Sequence, residues 1–295
     1  MNPVWGNVWG RAVVLLVVAT RYGMCGLRFI LALSILAVPL AVPDRAGDSV
    51  DPVLRQYVDH TGFNWTYKQT THFHLYFQAD SDARRHIGVL KKNVEGDRKG
   101  VIRLLGATGY EPAISAFFLR SGAQMKELVG VEVDGRSRPV QHAVFSVVTP
   151  ARLHLTHEIC HEIASNLWGA AEPWIEEGLA VYADEGDNIR YDSWTLLSSG
   201  TLIPFEKLIG PEWNSTMYSP DVTYTELGGF VKFLHDRFGV DRVKQIWQGG
   251  SQSIPQVVGM SLADLEREWR ESLVRQFPAP PTRHYRAGDV GFQIQ

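Results

Sequence analysis

Two histidines with a glutamate between them, His157, Glu158 and His161, have types and a spacing that suit chemistry at a metal ion. If this stretch is helical, His157 and His161 lie one turn apart on one face, so both imidazoles can reach the same ion. Neutral imidazoles suit Zn²⁺, and a catalytic zinc keeps three protein ligands and leaves a fourth position for water. Glu158 could take a proton from that water and pass it to a leaving group. The spacing therefore predicts a zinc-dependent hydrolytic site.

A second acidic stretch, Trp174-Ile175-Glu176-Glu177-Gly178, is the best source of the third ligand. Pro173 suits the first turn of a helix, and the apolar residues around the two glutamates give that helix a buried side. Glu176 and Glu177 would point about 100° apart on it, so only one of them would face the ion. We favour Glu177 as the ligand.

The two stretches together resemble the gluzincin metallopeptidases, specifically the peptidase MA-like group related to the catalytic domains of thermolysin and the M1 aminopeptidases. In that pattern the glutamate immediately before the glycine is the third ligand, which corresponds to Glu177. The segment from Asp221 to Phe230 is similar to the one in which the relatives carry a tyrosine that hydrogen-bonds the tetrahedral intermediate. That tyrosine corresponds to Tyr224.

The resemblance implies an α+β, zincin-like fold with an N-terminal mixed β-sheet plus helices and a mainly helical C-terminal half. It places the active-site cleft between the two halves, with an extended peptide held by main-chain pairing to an edge strand. It also implies a zinc metallopeptidase that acts on a peptide or protein substrate.

The sequence departs from the M1 and thermolysin patterns in three respects. Fifteen residues separate His161 from Glu177, fewer than in the M1 enzymes, and no Gly-x-Met-x-Asn motif that would bind a free amino terminus precedes them. An endopeptidase is therefore expected rather than an aminopeptidase. Val181 replaces the aspartate that follows the third ligand by four residues in thermolysin, which leaves Asp184 as a substitute to orient an imidazole.

Three alternatives to the predicted site were considered: His154 as a ligand, Cys160 as a nucleophile and a non-catalytic function. His154 lies one turn before His157, but it is a neighbour rather than a ligand if His157 and His161 are paired. Cys160 lies inside the motif, where a thiol on a core helix behaves as a small apolar residue instead of a nucleophile. The rival function is a non-catalytic exported zinc-binding or scaffold protein, although a structural zinc site more often has four protein ligands.

Composition restricts the class of protein. The 295 residues are 45% apolar and 21% charged, an ordinary globular balance, and residues 46–276 are expected to form the metallopeptidase domain. The net charge of -3 and the lack of dense basic runs exclude a nucleic-acid partner. The sequence indicates no oligomeric state.

Residues 1–45 predict export. Two apolar runs, Ala12–Ala19 and Phe29–Leu40, are each shorter than a membrane-spanning helix, and basic residues precede small residues in the manner of a secretory signal. The alternative is an uncleaved N-terminal membrane anchor, and translation could also begin at Met24. Cleavage would leave Cys160 without a partner for a disulfide. The proline-rich residues 277–295 are expected to form a tail.

Hydrophobic periodicity predicts the elements around these motifs. The sequence favours strands over 71–77, 113–120 and 140–148. It favours helices over 82–105, 122–129, 151–167, 226–238, 240–247 and 262–274, in addition to the helix that carries Glu177. A loop is expected from Gly186 through Asp192, and Tyr224 is expected at the start of the helix over 226–238.

Overall fold

A computed structural model describes residues 52–210, 213 and 218–278. The predicted signal or anchor at 1–45 lies outside the described residues, as does the predicted tail beyond residue 278. The strands are β1 (Trp65–Gln69), β2 (Phe73–Gln78), β3 (Ile114–Leu119), β4 (Gly135–Arg138) and β5 (Ala143–Val147). The helices are α1 (Arg55–Val58), α2 (Asp82–Arg85), α3 (Ile87–Leu104), α4 (Gly122–Val129), α5 (Thr156–Trp168), α6 (Pro173–Glu185), α7 (Asn188–Ser199), α8 (Phe205–Leu208), α9 (Pro220–Phe238), α10 (Val240–Gly249), α11 (Ile254–Val258) and α12 (Leu262–Gln276).

The five strands form one mixed sheet in the order β1-β2-β3-β5-β4. The strands β2, β3 and β5 are parallel, and the two edge strands β1 and β4 are antiparallel to their neighbours. Every residue of β3 and β5 is buried, as expected for central strands covered on both faces. The edge strand β4 lies next to α5, so the helix with His157, Glu158 and His161 packs against one edge of the sheet.

Two hydrophobic clusters cover the two faces of this sheet. Alternate residues of β3 point to opposite faces, so that Ile114 and Phe118 join the larger cluster with α3 and α5, whereas Phe117 joins the smaller one. The smaller cluster is completed by residues of α1 and α4, including Tyr57 and Met125. The larger cluster continues through the helical half of the chain as far as α12.

Glycines allow α6 and α9 to cross at close range. A β-carbon at Gly178 of α6 would lie 2.8 Å from the carbonyl oxygen of Leu227 in α9. A β-carbon at Gly228 of α9 would likewise lie 3.0 Å from Cβ of Val181. Because Gly178 follows Glu177 directly, this close crossing also fixes the position of the predicted third ligand.

The expected α+β order, with a mixed sheet first and a mainly helical half after it, is confirmed. The helix over 122–129 has the predicted bounds, and the strands predicted over 71–77, 113–120 and 140–148 appear as β2, β3 and β5 with shifted ends. Among the helices of the described ranges, none is long and apolar enough to cross a membrane.

Three boundary predictions were wrong, and two strands were missed. The predicted metal-binding helix begins at Thr156 rather than 151, because the Asp97 side chain in α3 accepts a hydrogen bond from the Leu155 N–H and holds the preceding residues as a loop. The edge strands β1 and β4 were not predicted. Residues 188–192, predicted as loop, open α7, and α9 begins at Pro220, six residues earlier than expected.

Candidate metal centre

The helix α5 presents His157 and His161 on one side while it buries the other. Ile159 and Ile163 are fully buried in the larger hydrophobic cluster. The side chains of His157 and His161 are 23% and 15% exposed, and they lie on the side of α5 that faces α6. The predicted i, i+4 arrangement on one helical face is therefore present.

The two imidazoles and the Glu177 carboxylate converge on one point. Nε2 of His157 lies 3.1 Å from Nε2 of His161, and Oε2 of Glu177 lies 3.3 Å from the first nitrogen and 3.6 Å from the second. Among the residues described, these three side chains form the one group of His, Cys, Asp and Glu that could hold a metal ion.

These spacings fit a tetrahedral zinc site. Ligand atoms about 2.0–2.1 Å from a tetrahedral ion are about 3.3 Å apart, which falls within the observed range of 3.1 to 3.6 Å. Two imidazoles and one carboxylate are also a common ligand set for catalytic zinc. The residues present therefore fit the predicted ion.

The helix α6 points its two neighbouring glutamates in different directions. Oε1 of Glu176 accepts a hydrogen bond from the Ala171 N–H at 3.0 Å, so its carboxylate points to the loop before the helix. The start of α6 is held by Glu172, which accepts hydrogen bonds from the Trp174 indole N–H and from the Ser251 N–H. Glu177 is thereby left to face the histidines.

Glu177 and His161 have pKa values that their neighbours shift strongly. Burial alone would raise the pKa of Glu177, but hydrogen bonds from His157 and His161 and their charges hold that pKa well below its usual range. Burial alone would lower the pKa of His161, but the hydrogen bond and negative charge of Glu177, with Glu158 nearby, raise it to about 9. The site therefore favours positive charge between the three side chains, and a divalent cation supplies such charge in place of protons.

The Glu158 carboxylate is buried beside this group. Its relative exposure is 8%, and no hydrogen bond joins it to another side chain within the described parts of the chain. Burial raises its pKa, and the charges of His157 and His161 partly oppose the rise. A carboxyl with a raised pKa close to a metal site suits a group that must both accept and release a proton.

The backbone of β4 adjoins Glu158. A β-carbon at Gly135 would lie 2.8 Å from Cδ of Glu158, so the carboxyl group occupies space that only a glycine leaves free. This contact was not predicted, because Gly135-Arg136-Ser137-Arg138 has none of the apolar alternation that indicates a strand.

Tyr224 lies in the second turn of α9 rather than at the start of a helix. Its ring centroid is 6.5 Å from that of His157, with the rings tilted by 56°. The close crossing of α6 and α9 brings it to the same side as the three predicted ligands.

The alternatives considered for His154 and Cys160 have clear outcomes. Nδ1 of His154 lies 2.8 Å from Oδ1 of Asp97, and His154 is not part of the group that could hold an ion. Cys160 is a free, buried thiol whose pKa is raised by burial, so it is not an activated nucleophile. Asp184 is exposed and makes no hydrogen bond with either ligand histidine in the described structure, which does not support the predicted orienting role.

Glu162, the residue after His161, is held by a buried hydrogen-bond network that the sequence did not predict. Glu162 is fully buried, and its Oε1 accepts hydrogen bonds from the hydroxyl of Tyr110 at 3.0 Å and the amide of Asn166 at 3.1 Å, with Nδ1 of His142 at 2.9 Å. Burial raises the pKa of Glu162 to about 7. In the sequence, only its position next to His161 pointed to Glu162. Tyr110 and His142 lie far from it along the chain, and Asn166 lies one helical turn later.

A scan against protein-family models and a search among curated proteins found no match for this chain.

Proposed function

We propose that the chain is a zinc-dependent metallopeptidase that hydrolyses peptide bonds, and that it acts as an endopeptidase. The observation that carries the proposal is the convergence of His157 Nε2, His161 Nε2 and Glu177 Oε2 within 3.6 Å of one another beside a buried carboxylate. Three protein ligands leave a coordination position for solvent, which distinguishes catalytic from structural zinc.

A zinc ion held by these residues would polarise a carbonyl and lower the pKa of a water molecule. Glu158 would accept a proton from that water as its oxygen adds to the carbonyl carbon, and would pass the proton to the amine nitrogen as the C–N bond breaks. Its burial supports both steps, because a raised pKa brings the carboxyl closer to the pH at which it must exchange protons. The shielded surroundings also keep bulk solvent from competing for that proton.

Tyr224 is the proposed donor to the oxygen of the scissile carbonyl. A phenol hydroxyl aimed at the developing negative charge stabilises the transition state more than the bound substrate. The placement of its ring near His157, on a helix locked against α6, supports this role.

The position of β4 supports a polypeptide as the substrate. This strand pairs with β5 on one side and is an edge of the sheet as described on the other. An extended peptide can add to such an edge through main-chain hydrogen bonds. Since Gly135 of β4 touches Glu158, a peptide paired with β4 would pass beside the proposed general base, and the peptide could continue in both directions.

The decisive experiment compares the purified chain with Glu158→Gln. We expect about one zinc per chain in both proteins, and cleavage of casein or of a mixed peptide library by the wild type alone. Glu111→Gln, at an exposed glutamate of the loop before β3, is the matched control and should cleave normally. Zinc binding without cleavage of any library peptide by the wild type would favour the non-catalytic alternative. We further propose that the protein is exported through residues 1–45.

A further inference from the structure

A polar cavity of about 350 Å³ adjoins the proposed metal centre. His157 and Glu158 form part of its wall, and the loop 151–155 before α5 forms another part. Asp184 lies on the wall contributed by α6. The volume is near the lower end of the roughly 300–1,000 Å³ of ligand pockets, which suits one side chain of a bound peptide.

The basic side chains of this cavity already have acidic partners. Nη1 of Arg152 lies 2.8 Å from Oδ2 of Asp134, and Nδ1 of His154 lies 2.8 Å from Oδ1 of Asp97. Neither is therefore available as an unpaired cation for a ligand.

Asp184 differs from these groups. Its carboxylate is exposed and has no ion pair or hydrogen bond with another residue of the described chain. Glu158, the other acid on the wall, is more than nine-tenths buried and also lacks a hydrogen-bond partner there. The cavity wall thus carries an unpaired carboxylate at Asp184 and unpaired acceptor oxygens at Glu158, and a positively charged side chain complements this acidic lining.

The helix α6 sets the distance between Asp184 and the reaction. Asp184 and Glu177 are seven residues apart, which places them on nearly the same face of the helix and about 10 Å apart along its axis. A substrate residue next to the scissile bond must span most of that distance to reach Asp184. Lysine and arginine do so, because they carry a charge at the end of a long flexible stem.

We propose that Asp184 determines specificity by binding the lysine or arginine side chain of the residue that flanks the scissile bond. The inference rests on the proposed metallopeptidase activity and assigns it a substrate class, namely peptides that are basic at that position. Acidic side chains are disfavoured, because they would meet Asp184 while Arg152 is held by Asp134.

The test uses the full-length zinc-loaded protein and matched peptides. Sites cleaved in a mixed peptide library are identified by mass spectrometry, and peptides are then synthesised with lysine, arginine, glutamine or glutamate beside the scissile bond. An ion pair with an exposed carboxylate predicts a kcat/KM about 2–5-fold higher for the basic peptides than for the glutamine peptide. Asp184→Asn should abolish this preference by lowering kcat/KM for the basic peptides to about that of the glutamine peptide.

Two further variants sharpen the test. Asp184→Lys should reverse the preference toward the glutamate peptide. Glu185→Gln removes a negative charge from the adjacent position, which does not line the cavity, and should keep the wild-type preference. Zinc content is measured for every variant, so that loss of the metal is not mistaken for loss of specificity.

The possible failures can be told apart. If the wild type cleaves no peptide, the proposed function and this inference both fail. If it cleaves peptides in a Glu158-dependent manner without preferring basic residues, only the inference fails. A basic preference that survives Asp184→Asn, or an acidic preference that Arg152→Gln removes, would likewise overturn the assignment of Asp184 and leave the metallopeptidase intact.

Discussion

The backbone of Gly135 lies so close to the Glu158 carboxyl group that no side chain fits between them. A β-carbon at Gly135 would be 2.8 Å from Cδ of Glu158 and nearer still to Oε1. Gly135 begins the edge strand β4 and Glu158 lies in the first turn of α5, so the contact joins the sheet to the proposed general base. The glycine therefore limits where the carboxylate can lie.

Gly135→Ala should reduce activity without removing the metal. The new methyl group would displace the Glu158 carboxylate, and we expect kcat/KM to fall about 10–100-fold at unchanged zinc content, because a misplaced catalytic group loses much of its effect. Gly100→Ala in α3 is the control, since a β-carbon there meets nothing within 4 Å. Undiminished peptide hydrolysis by Gly135→Ala would show that this contact does not position the carboxylate.

The part of the site set by local periodicity could be predicted from the sequence. His157 and His161 share a helical face through their spacing alone, and a second helix was expected to supply Glu177. Periodicity could not separate Glu177 from Glu176, because the deciding contact is the hydrogen bond from the Ala171 N–H to Glu176. The family resemblance favoured Glu177, and Glu177 is the glutamate that lies beside His157 and His161 in the structure.

Features that depend on partners distant in the chain could not be predicted. The start of α5 is fixed by Asp97, fifty-eight residues before Leu155. The strand β4 forms by pairing with β5 although Gly135-Arg136-Ser137-Arg138 has little strand propensity of its own. Both features shape the site. The Asp97 contact keeps residues 151–155 as a loop that lines the cavity, and β4 brings Gly135 to Glu158.

Glu177→Ala should abolish tight zinc binding, whereas the neighbouring Glu176→Gln should not. Oε2 of Glu177 lies 3.3 Å from His157 Nε2, while Glu176 turns to the Ala171 N–H. A metal held between α5 and α6 stabilises the folded state, so EDTA should lower the Tm of the wild type and of Glu176→Gln but leave that of Glu177→Ala unchanged. Equal zinc affinity in the two variants would exclude Glu177 as a ligand.

Tyr224→Phe should lower kcat about 100-fold with little change in KM or zinc content. The lost hydroxyl acts on charge that develops in the transition state, so the ground-state affinity for substrate is preserved. Tyr191→Phe, at an exposed tyrosine of α7, provides the control. A KM effect alone would instead assign Tyr224 to substrate binding.

Glu162→Ala should destabilise the fold by about 1–3 kcal/mol, because it removes the buried acceptor that Tyr110, His142 and Asn166 share and leaves them only their other partners. Glu162→Gln retains an acceptor oxygen and should cost less. Urea denaturation with EDTA present measures the free energy of unfolding without the contribution of zinc. Similar stabilities for the alanine variant and the wild type would mean that solvent replaces these hydrogen bonds.

Glu226 is a buried carboxyl group remote from the three predicted ligands in sequence. Its Oε2 accepts a hydrogen bond from the Ile203 N–H at 2.9 Å, while Oε1 has no partner in the described structure. Burial raises its pKa from an ordinary value of 4.5 to about 8, although the Ile203 hydrogen bond and the charge of Arg270 oppose the rise. The folded protein therefore retains this proton at pH values where the unfolded chain has released it.

The raised pKa predicts that Glu226 loses its stabilising contribution as the pH increases. Below pH 4.5 both states are protonated; between about pH 4.5 and 8 only the unfolded state ionises, so the free energy of unfolding falls through this window and levels off above it. Glu226→Gln keeps an acceptor for the Ile203 N–H but does not titrate, and its stability relative to wild type should rise by a few kcal/mol across the window, at about 1.4 kcal/mol per pKa unit. Urea denaturation over a pH series measures this difference, and Glu206→Gln, at an exposed glutamate, is the control. Parallel pH profiles of stability for Glu226→Gln and wild type would refute the predicted role of Glu226.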